Sequence, residues 1–230
     1  VNNLTVDNIS LDCTTGVSYG YPMYCGGLTS HVTLLADSVF LHDVTISDIH
    51  MLSAFPSRLT DVYYGGIVGW ANKNNINLTP TLNITNCRFQ LQDYSLEIDV
   101  QACSNSFTFG GYVALVEAVR VRMKDAVVSL GGSTSNYGVS INAISIQTSR
   151  VGGAFGYANT NSQLSASQGG CSLSGYILFT GSNLNNVNKV LGGKNNNVRL
   201  YLNDLTHSSL YLYSLTNSNA TPSLVTTTGI

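Results

Sequence analysis

The chain has 230 residues, of which 43% are hydrophobic, enough for one all-β domain or two small ones with a buried core. Only 10% of the residues are charged, against roughly 25% in ordinary soluble domains, and the formal net charge is −2. The Lys and Arg residues are scattered singly except for Arg120, Arg122 and Lys124, so we expect no nucleic-acid or anionic-lipid partner. No apolar run approaches the roughly 20 residues of a transmembrane helix, so we expect no membrane insertion.

Short runs of alternating apolar and polar residues predict β-strands along the chain, whereas helix signals are almost absent. In chain order, these runs include residues 82–84, 96–100, 119–124, 139–141, 144–146, 198–202 and 210–212. Clusters of Asn, Gly and Ser predict turns between them, at 72–77, 131–136, 159–167 and 183–188. The stretch from Val113 to Met123 is also compatible with a helix, but a strand is favoured because a Gly-Gly pair opens it.

A Gly-Gly dipeptide recurs seven times, where random placement of 22 glycines would give roughly two pairs. The pairs begin at Gly26, Gly65, Gly110, Gly131, Gly152, Gly169 and Gly192. Intervals of 21 residues separate the pairs at 110, 131 and 152, and the two preceding intervals are close to double that length. We interpret this spacing as an all-β fold, a β-solenoid with about eleven short coils of about 21 residues. Five wide coils of about 40 residues are the alternative count, and a β-sandwich is the alternative fold.

The glycine pairs are expected at the corners of the coils. A sharp corner needs either a positive φ or the absence of a Cβ that would collide with the next coil. We therefore predict structural corner glycines at Gly26, Gly65, Gly66, Gly110, Gly131, Gly152, Gly153, Gly169 and Gly192. Residues 1–230 are interpreted as a single all-β repeat domain, and both a processed mature protein and a fragment of a longer array are compatible with it.

Two of the glycine pairs open closely similar segments, residues 65–72 and 152–159. Both have the order Gly-Gly-apolar-apolar-Gly-aromatic-Ala-Asn, and the strand from Leu82 to Cys87 follows the first of them. These segments resemble the GLUG-type repeats of large surface proteins of bacteria and protists. The resemblance implies a β-solenoid in an extracellular adhesin, coat or appendage, usually without catalysis. The pairs at Gly26, Gly110 and Gly192 lack the third glycine of this pattern.

The five cysteines allow two interpretations. Disulfides could join Cys13 to Cys25 and Cys87 to Cys103 and so bridge neighbouring turns. Cys171 would then be free or paired with a cysteine outside this sequence. Alternatively, the cysteines are small, buried apolar residues. Asn-x-Ser/Thr sequons, which permit N-glycosylation of a secreted protein, occur at Asn3, Asn8, Asn77, Asn83 and Asn219.

The glycine-rich segments predict no cofactor site. The run from Gly65 to Gly69 differs from the dinucleotide-binding fingerprint, and an Asn-rich turn follows where that fingerprint opens a helix. The dipeptide Gly193-Lys194 lacks the upstream glycine and the following hydroxyl residue of a phosphate-binding loop.

The segment from His42 to His50 contains two histidines and two aspartates. On a regular strand, His42, Asp48 and His50 would share one face with Val44 and Ile46, and Asp48 with His50 could contact a metal ion. Because that face is otherwise apolar, we prefer a polar corner in which the histidines are hydrogen-bonded to neighbours, and we predict no metal site.

A polysaccharide-acting enzyme needs carboxylates that face each other across a groove, or a carboxylate with Lys or Arg. The nearest group in the sequence is Asp93, Glu97 and Asp99, a pattern typical of a solvated strand face. Adjacent coils could bring Asp125 or Glu117 alongside. We predict no catalytic residues, with a polysaccharide lyase or glycoside hydrolase as the alternative.

Three tyrosines near the end of the chain lie opposite the leucines of their strands and predict an outward aromatic strip: Tyr201, Tyr211 and Tyr213. Such a strip binds sugars or a neighbouring subunit. We therefore expect a non-catalytic, extracellular or cell-surface protein with a structural or adhesive role, a rod that assembles with itself or with other subunits. The alternative is a polysaccharide-acting enzyme or a carbohydrate-binding module on the same scaffold.

Overall fold

The computed structural model describes residues 1–11, 20–51, 55, 59–74, 79–100, 103, 105–166, 169–217 and 219–226. Within these residues the chain forms strands and turns without a helix, and parallel strands stack as a β-solenoid of about four turns. The predicted all-β solenoid is confirmed, and the segment from Val113 to Met123 is strand rather than helix. The predicted β-sandwich alternative is wrong, because the stacked strands pair in parallel.

The strands are β1 Asn2–Leu11, β2 Met23–Gly26, β3 Thr29–Leu34, β4 Ser38–Met51, β5 Asp61–Gly65, β6 Val68–Lys73, β7 Thr81–Thr85, β8 Arg88–Gln90, β9 Leu96–Asp99, β10 Ser106–Gly110, β11 Val113–Glu117, β12 Arg120–Lys124, β13 Val127–Ser129, β14 Val139–Asn142, β15 Thr148–Gly152, β16 Phe155–Ala158, β17 Gln163–Ala166, β18 Ser172–Thr180, β19 Val187–Asn188, β20 Leu191–Lys194, β21 Arg199–Tyr201, β22 Thr206–Leu215 and β23 Ser223–Leu224.

The strands form three parallel sheets that run along the solenoid. Sheet 1 contains β2, β5, β10, β15 and β19; sheet 2 contains β3, β6, β11, β16 and β20; the other thirteen strands form sheet 3. Each full coil therefore passes through sheet 1, then sheet 2, and then two or three segments of sheet 3. The short strand β23 pairs antiparallel with the end of β22.

The coil is about twice as long as the favoured prediction. Gly65 pairs in register with Gly26 on one side and Gly110 on the other, and Gly110 pairs with Gly152. Successive coils thus bring these four glycines to the same position, so the predicted short coil is wrong and the wide coil is confirmed. The interval of 21 residues between Gly110 and Gly131 does not correspond to one coil, because Gly131 lies in the turn after β13, on another side of the same coil.

The seven glycine pairs consequently occupy different places in the coil, and six of them lie at corners or turns. The pairs at 26, 65, 110 and 152 connect sheet 1 to sheet 2, and none of these glycines has a positive φ. Gly131 and Gly169 have φ of 60° and 79° and lie in turns within sheet 3. The pair at Gly192 is not at a corner, since it lies inside strand β20.

Close packing between coils explains the second glycine of the corner pairs. Gly27, Gly66, Gly111 and Gly153 form a column, here called the glycine stack. A Cβ on Gly111 would lie 2.2 Å from the carbonyl oxygen of Gly153 in the next coil, and Gly66 has the same relation to Gly111. In the last coil this position is Lys189, and among the described strands none follows β19 in sheet 1. The position of the glycine stack therefore carries a side chain, that of Lys189, in the coil over which no further described coil packs.

A second corner of the coil is formed by an Asn or Asp residue with a positive φ. In successive coils this residue lies within β4, between β7 and β8, and between β12 and β13. Asp43, Asn86 and Asp125 have φ of 54°, 50° and 51°, a conformation that Asn and Asp adopt more readily than most residues. The positive φ interrupts the alternation of the strand, so that Leu41 and Val44 are both buried. The core is one continuous cluster of columns of apolar side chains from successive coils.

Candidate binding surfaces

The predicted tyrosines face outward but do not form one strip. Tyr201 and Tyr211 are 55% and 38% exposed, and Tyr213 is half-buried, whereas Leu210 and Leu212 between them are buried. Tyr201 lies in β21 and pairs in register with Ser165. Tyr211 and Tyr213 lie in β22, on the neighbouring segment of sheet 3.

Two further tyrosines join the pair in β22 and make a group of four, here called the tyrosine patch: Tyr137, Tyr176, Tyr211 and Tyr213. The rings of Tyr176 and Tyr211 are stacked with centroids 5.0 Å apart, and Tyr137 meets Tyr213 edge to face at 5.6 Å. Lys189 Nζ lies 5.7 Å from the centroid of the Tyr211 ring. The patch thus presents rigid rings with polar edges on one side of the last coils.

A second aromatic group, which sequence reasoning missed, lies beside the glycine corner. In this aromatic ladder, Tyr24 stacks on Tyr63 at 4.9 Å and on Trp70 at 4.8 Å, and His31 stacks on Trp70 at 4.3 Å. The detectable signal was a fixed offset, with a tyrosine two residues before a glycine pair and a ring five residues after it. Stacked pairs of this kind each add about 0.5–1.5 kcal/mol to stability.

The aromatic ladder is mainly a stabilising contact between coils. Tyr24 pairs in register with Tyr63, so the two rings stack face to face along the solenoid axis. The stacked faces are therefore covered by each other and not presented to a ligand. Burial, followed by the phenol of Tyr63 and the carboxylate of Glu117, raises the pKa of Tyr24 to about 12. This phenol therefore remains neutral over the physiological range.

A basic groove runs along the outer face of β7, β12, β17 and β21. It consists of two adjoining depressions of about 720 and 680 Å³ that share Arg120 and Gln163. Their basic residues are Lys73, Arg120, Arg122, Lys124 and Arg199, which are five of the ten Lys and Arg residues of the chain. No Asp or Glu lines either depression among the described residues. The fold therefore adds Lys73 and Arg199, which are distant in the sequence, to the cluster of Arg120, Arg122 and Lys124.

Several positive charges of this groove are not neutralised. Among the residues that the structure describes, Arg122, Lys124 and Arg199 form no salt bridge. Arg120 is oriented by a hydrogen bond from its Nε to Gln163 Oε1, at 2.6 Å, which leaves its terminal nitrogens for other partners. Tyr201 borders the groove at the last coil.

The segment from His42 to His50 is a hydrogen-bonded corner. His42 Nδ1 lies 3.1 Å from Asn2 Oδ1, and His50 Nε2 lies 2.8 Å from Ser10 Oγ. Asp48 Oδ1 accepts hydrogen bonds from the backbone N–H groups of residues 92 and 93. The predicted common face is wrong, because the left-handed Asp43 leaves His42 exposed while Val44 and Ile46 are buried.

Of the carboxylates considered for catalysis, Glu97 and Asp99 line one small depression of about 200 Å³ on β9 and β14, and Asp93, Glu117 and Asp125 are not among its lining residues. Glu97 pairs with Ser140 and Asp99 with Asn142, so the adjacent coil adds no second carboxylate at these positions. Glu117 accepts a hydrogen bond from Asn159 Nδ2 at 3.1 Å in a different sheet. Asp93 and Asp125 are exposed, and Asp125 occupies the left-handed corner described above. The expectation that Asp125 or Glu117 joins the group is wrong.

The described cysteines are all buried. Cys87 and Cys171 belong to one core column with Val44 and Ala126, and Cys87 Sγ donates to the carbonyl oxygens of residues 41 and 85. Cys87 is thus a thiol, and the predicted bridge from Cys87 to Cys103 is not formed. The other predicted bridge involves Cys13, which lies outside the described residues.

The sequons differ in accessibility. Asn3, Asn8 and Asn219 are exposed, whereas Asn83 is half-buried and donates a hydrogen bond to Val39 O at 3.4 Å. Asn77 lies outside the described residues. Asn83 also lines the basic groove, so a glycan at this residue would fill it.

Alkaline pH is expected to destabilise the fold through its buried thiols and phenols. Burial raises the pKa of Cys87, Cys171 and Tyr112, so their contribution is complete below the unfolded-state values of about 9 to 10 and is lost as the pH rises through the folded-state values. Urea midpoints at pH 7.5, 9 and 10.5 should fall in that order. The variant Cys87→Ala/Cys171→Ala should show a shallower fall, and an equally steep fall would contradict this assignment to the thiols.

Comparisons of the chain with family models, with curated proteins and with solved structures find no match. No helix among the described residues is long and apolar enough to cross a membrane. Among the same residues, no three His, Cys, Asp or Glu side chains come together as metal ligands. Exposed groups suited to binding are found on the tyrosine patch and in the basic groove.

Proposed function

We propose that this protein is a non-catalytic, extracellular β-solenoid with a structural or adhesive role, which associates with copies of itself or with neighbouring subunits. The observation that carries the proposal is the tyrosine patch, where two ring pairs lie side by side on the outer face of the last coils. Tyr211 is 38% exposed, and the other three tyrosines of the patch are half-buried.

The chemistry of the patch supports association with a protein. Tyrosine is enriched in protein interfaces because it contributes a large rigid apolar area together with a hydroxyl that can form hydrogen bonds. Rings that are already packed in pairs lose little conformational freedom when a partner covers them. The chain is also poor in charged residues, at 10%, so the side-by-side approach of two copies meets little electrostatic repulsion.

Two sequence features agree with an extracellular setting. The segments resembling GLUG-type repeats lie at the corners between sheet 1 and sheet 2, where they build the scaffold itself. Three sequons, at Asn3, Asn8 and Asn219, are exposed and accessible for glycosylation. Glu97 and Asp99 meet Ser140 and Asn142 of the adjacent coil, with no facing carboxylate, Lys or Arg in the described lining of their depression, which supports a non-catalytic role.

Self-association is tested with Tyr211→Arg, which places a charge at the centre of the patch. Because Tyr211 is exposed, the fold should be retained, and the dissociation constant measured by analytical ultracentrifugation should rise about tenfold or more. Negative-stain electron microscopy of the wild-type protein should show assemblies that the variant lacks.

The matched control is Tyr21→Arg, since Tyr21 is 66% exposed and lies outside the patch. It should assemble like the wild-type protein. A wild-type protein that stays monomeric up to about 100 µM, a weak-interface concentration, would contradict self-association. Equal loss of assembly in the two variants would show that charge, and not the patch, controls it.

A further inference from the structure

We propose that the basic groove binds an acidic polysaccharide, an extended chain of sugars that carry carboxylate or sulfate groups. The inference names a ligand for the adhesive role proposed above and rests on that role for its biological meaning. It concerns a different surface, because the groove lies on β7, β12, β17 and β21, whereas the tyrosine patch lies on β18, β22 and the loop before β14.

The charge of the groove indicates an anionic ligand. Half of the Lys and Arg residues line it, in a chain whose formal net charge is −2. Cations that face one groove without carboxylates repel each other, and an anion relieves this repulsion. Arg122, Lys124 and Arg199 are exposed and, among the described residues, form no salt bridge. Their donors are therefore available for charge-assisted hydrogen bonds.

The spacing of the groove fits a polymer of repeating units. Arg120 pairs in register with Gln163, which pairs with Arg199, and the next outward row contains Asn83, Arg122, Ser165 and Tyr201. Parallel strands place successive members of each row about 4.8 Å apart, which is close to the length of one sugar residue in an extended chain. A saccharide lying along the solenoid axis would therefore meet one polar side chain per coil.

The neutral side chains of the groove favour a saccharide over a nucleic acid. Amide and hydroxyl side chains outnumber the cations in the lining, and those of Asn83, Gln163, Ser165 and Asn197 among them match the hydroxyl groups of sugars. Tyr201 adds an exposed ring on which a sugar face can stack. Nucleic-acid binding draws its affinity from many phosphate contacts, whereas here five cations are interleaved with neutral groups.

The proposal is tested with protein made without N-glycans, so that Asn83 is unmodified. Oligogalacturonate and dextran sulfate serve as acidic probes, uncharged dextran as the neutral probe, and single-stranded DNA of equal charge as the competing polymer. Calorimetry should show binding of at least one acidic probe, weakened by added salt, and no binding of dextran. The variant Arg122→Gln/Lys124→Gln should weaken that binding about tenfold or more.

The matched control is Arg88→Gln/Lys194→Gln, which removes the same charge from exposed residues outside the groove lining. It should bind within about twofold of the wild-type protein. Equal weakening in both variants, no binding of either acidic probe, or tighter binding of the DNA would each overturn the proposal. A circular dichroism spectrum and a Tm that match those of the wild-type protein would exclude misfolding of a variant as the cause of lost binding.

The two proposals fail separately. Arg122→Gln/Lys124→Gln should leave the self-association measured by ultracentrifugation unchanged, and Tyr211→Arg should leave acidic-probe binding unchanged. Loss of saccharide binding with intact assembly would therefore refute only the ligand assignment. Tyr201→Ser provides an additional readout, since loss of a stacking ring should weaken the acidic probe about fivefold without changing the salt dependence.

Discussion

Gly111→Ala should lower the free energy of unfolding by about 3 kcal/mol or more, at or above the upper end for overpacked cores. The new Cβ would lie 2.2 Å from the carbonyl oxygen of Gly153 and 2.9 Å from Val128 Cγ1. A carbonyl that is held in the stack of coils cannot rotate away, so neighbouring coils must separate. Thermal unfolding should show a Tm lower by roughly 6 to 12 °C for a chain of this size.

Gly193→Ala is the matched control, because the nearest atom to its added Cβ is Tyr157 Cδ2 at 3.2 Å, on a side chain that can move. It should change stability by less than about 1 kcal/mol. Lys189→Ala, at the equivalent position in the last described coil, should also be mild. If Gly111→Ala is as mild as these two variants, contact between coils is not the reason for the glycine stack.

Phe109→Ala should destabilise the protein by about 3–5 kcal/mol, the usual cost of truncating a fully buried phenylalanine. Phe109 is 0% exposed in the middle coil, and its ring lies 6.1 Å from that of Tyr64 in the coil before it. Removing the ring leaves a cavity that borders coils on both sides, since Phe109 also pairs with Val151. Urea unfolding followed by circular dichroism measures the loss.

The same substitution at Phe40 is the control, because this side chain is 60% exposed on the outer face of β4. Phe40→Ala should change stability by no more than about 0.5 kcal/mol. Similar losses at the two positions would argue against the inward and outward assignment of these strands. Loss of only part of the circular dichroism signal in Phe109→Ala would show that coils on either side unfold separately, as in other repeat proteins.

Local patterns were sufficient to predict most of the strands. Leu96 and Ile98, and likewise Val121 and Met123, are buried as their alternation indicates, because side chains on successive strand residues point to opposite faces. The alternation failed at Asp43, where a positive φ turns the chain. Asn and Asp are common in ordinary turns as well, so their presence alone does not identify this conformation.

The candidate surfaces depended on long-range register, which the sequence hides. Lys73 and Arg199 line the same groove as Arg120 only because each wide coil returns the chain to the same side of the solenoid. With the short coils that the glycine spacing favoured, different side chains would have faced each other. The tyrosine patch was predicted in part, since Tyr211 and Tyr213 were recognised and Tyr137 and Tyr176 were not.

The all-β character of the chain and most of its glycine corners follow from local sequence features, because alternation and the lack of a Cβ act within a few residues. The length of the coil, the choice of glycines that stack on each other and the set of cations that share a groove became visible in the folded chain alone. These features depend on the number of residues in each coil, and that number is set by packing between coils around the whole core.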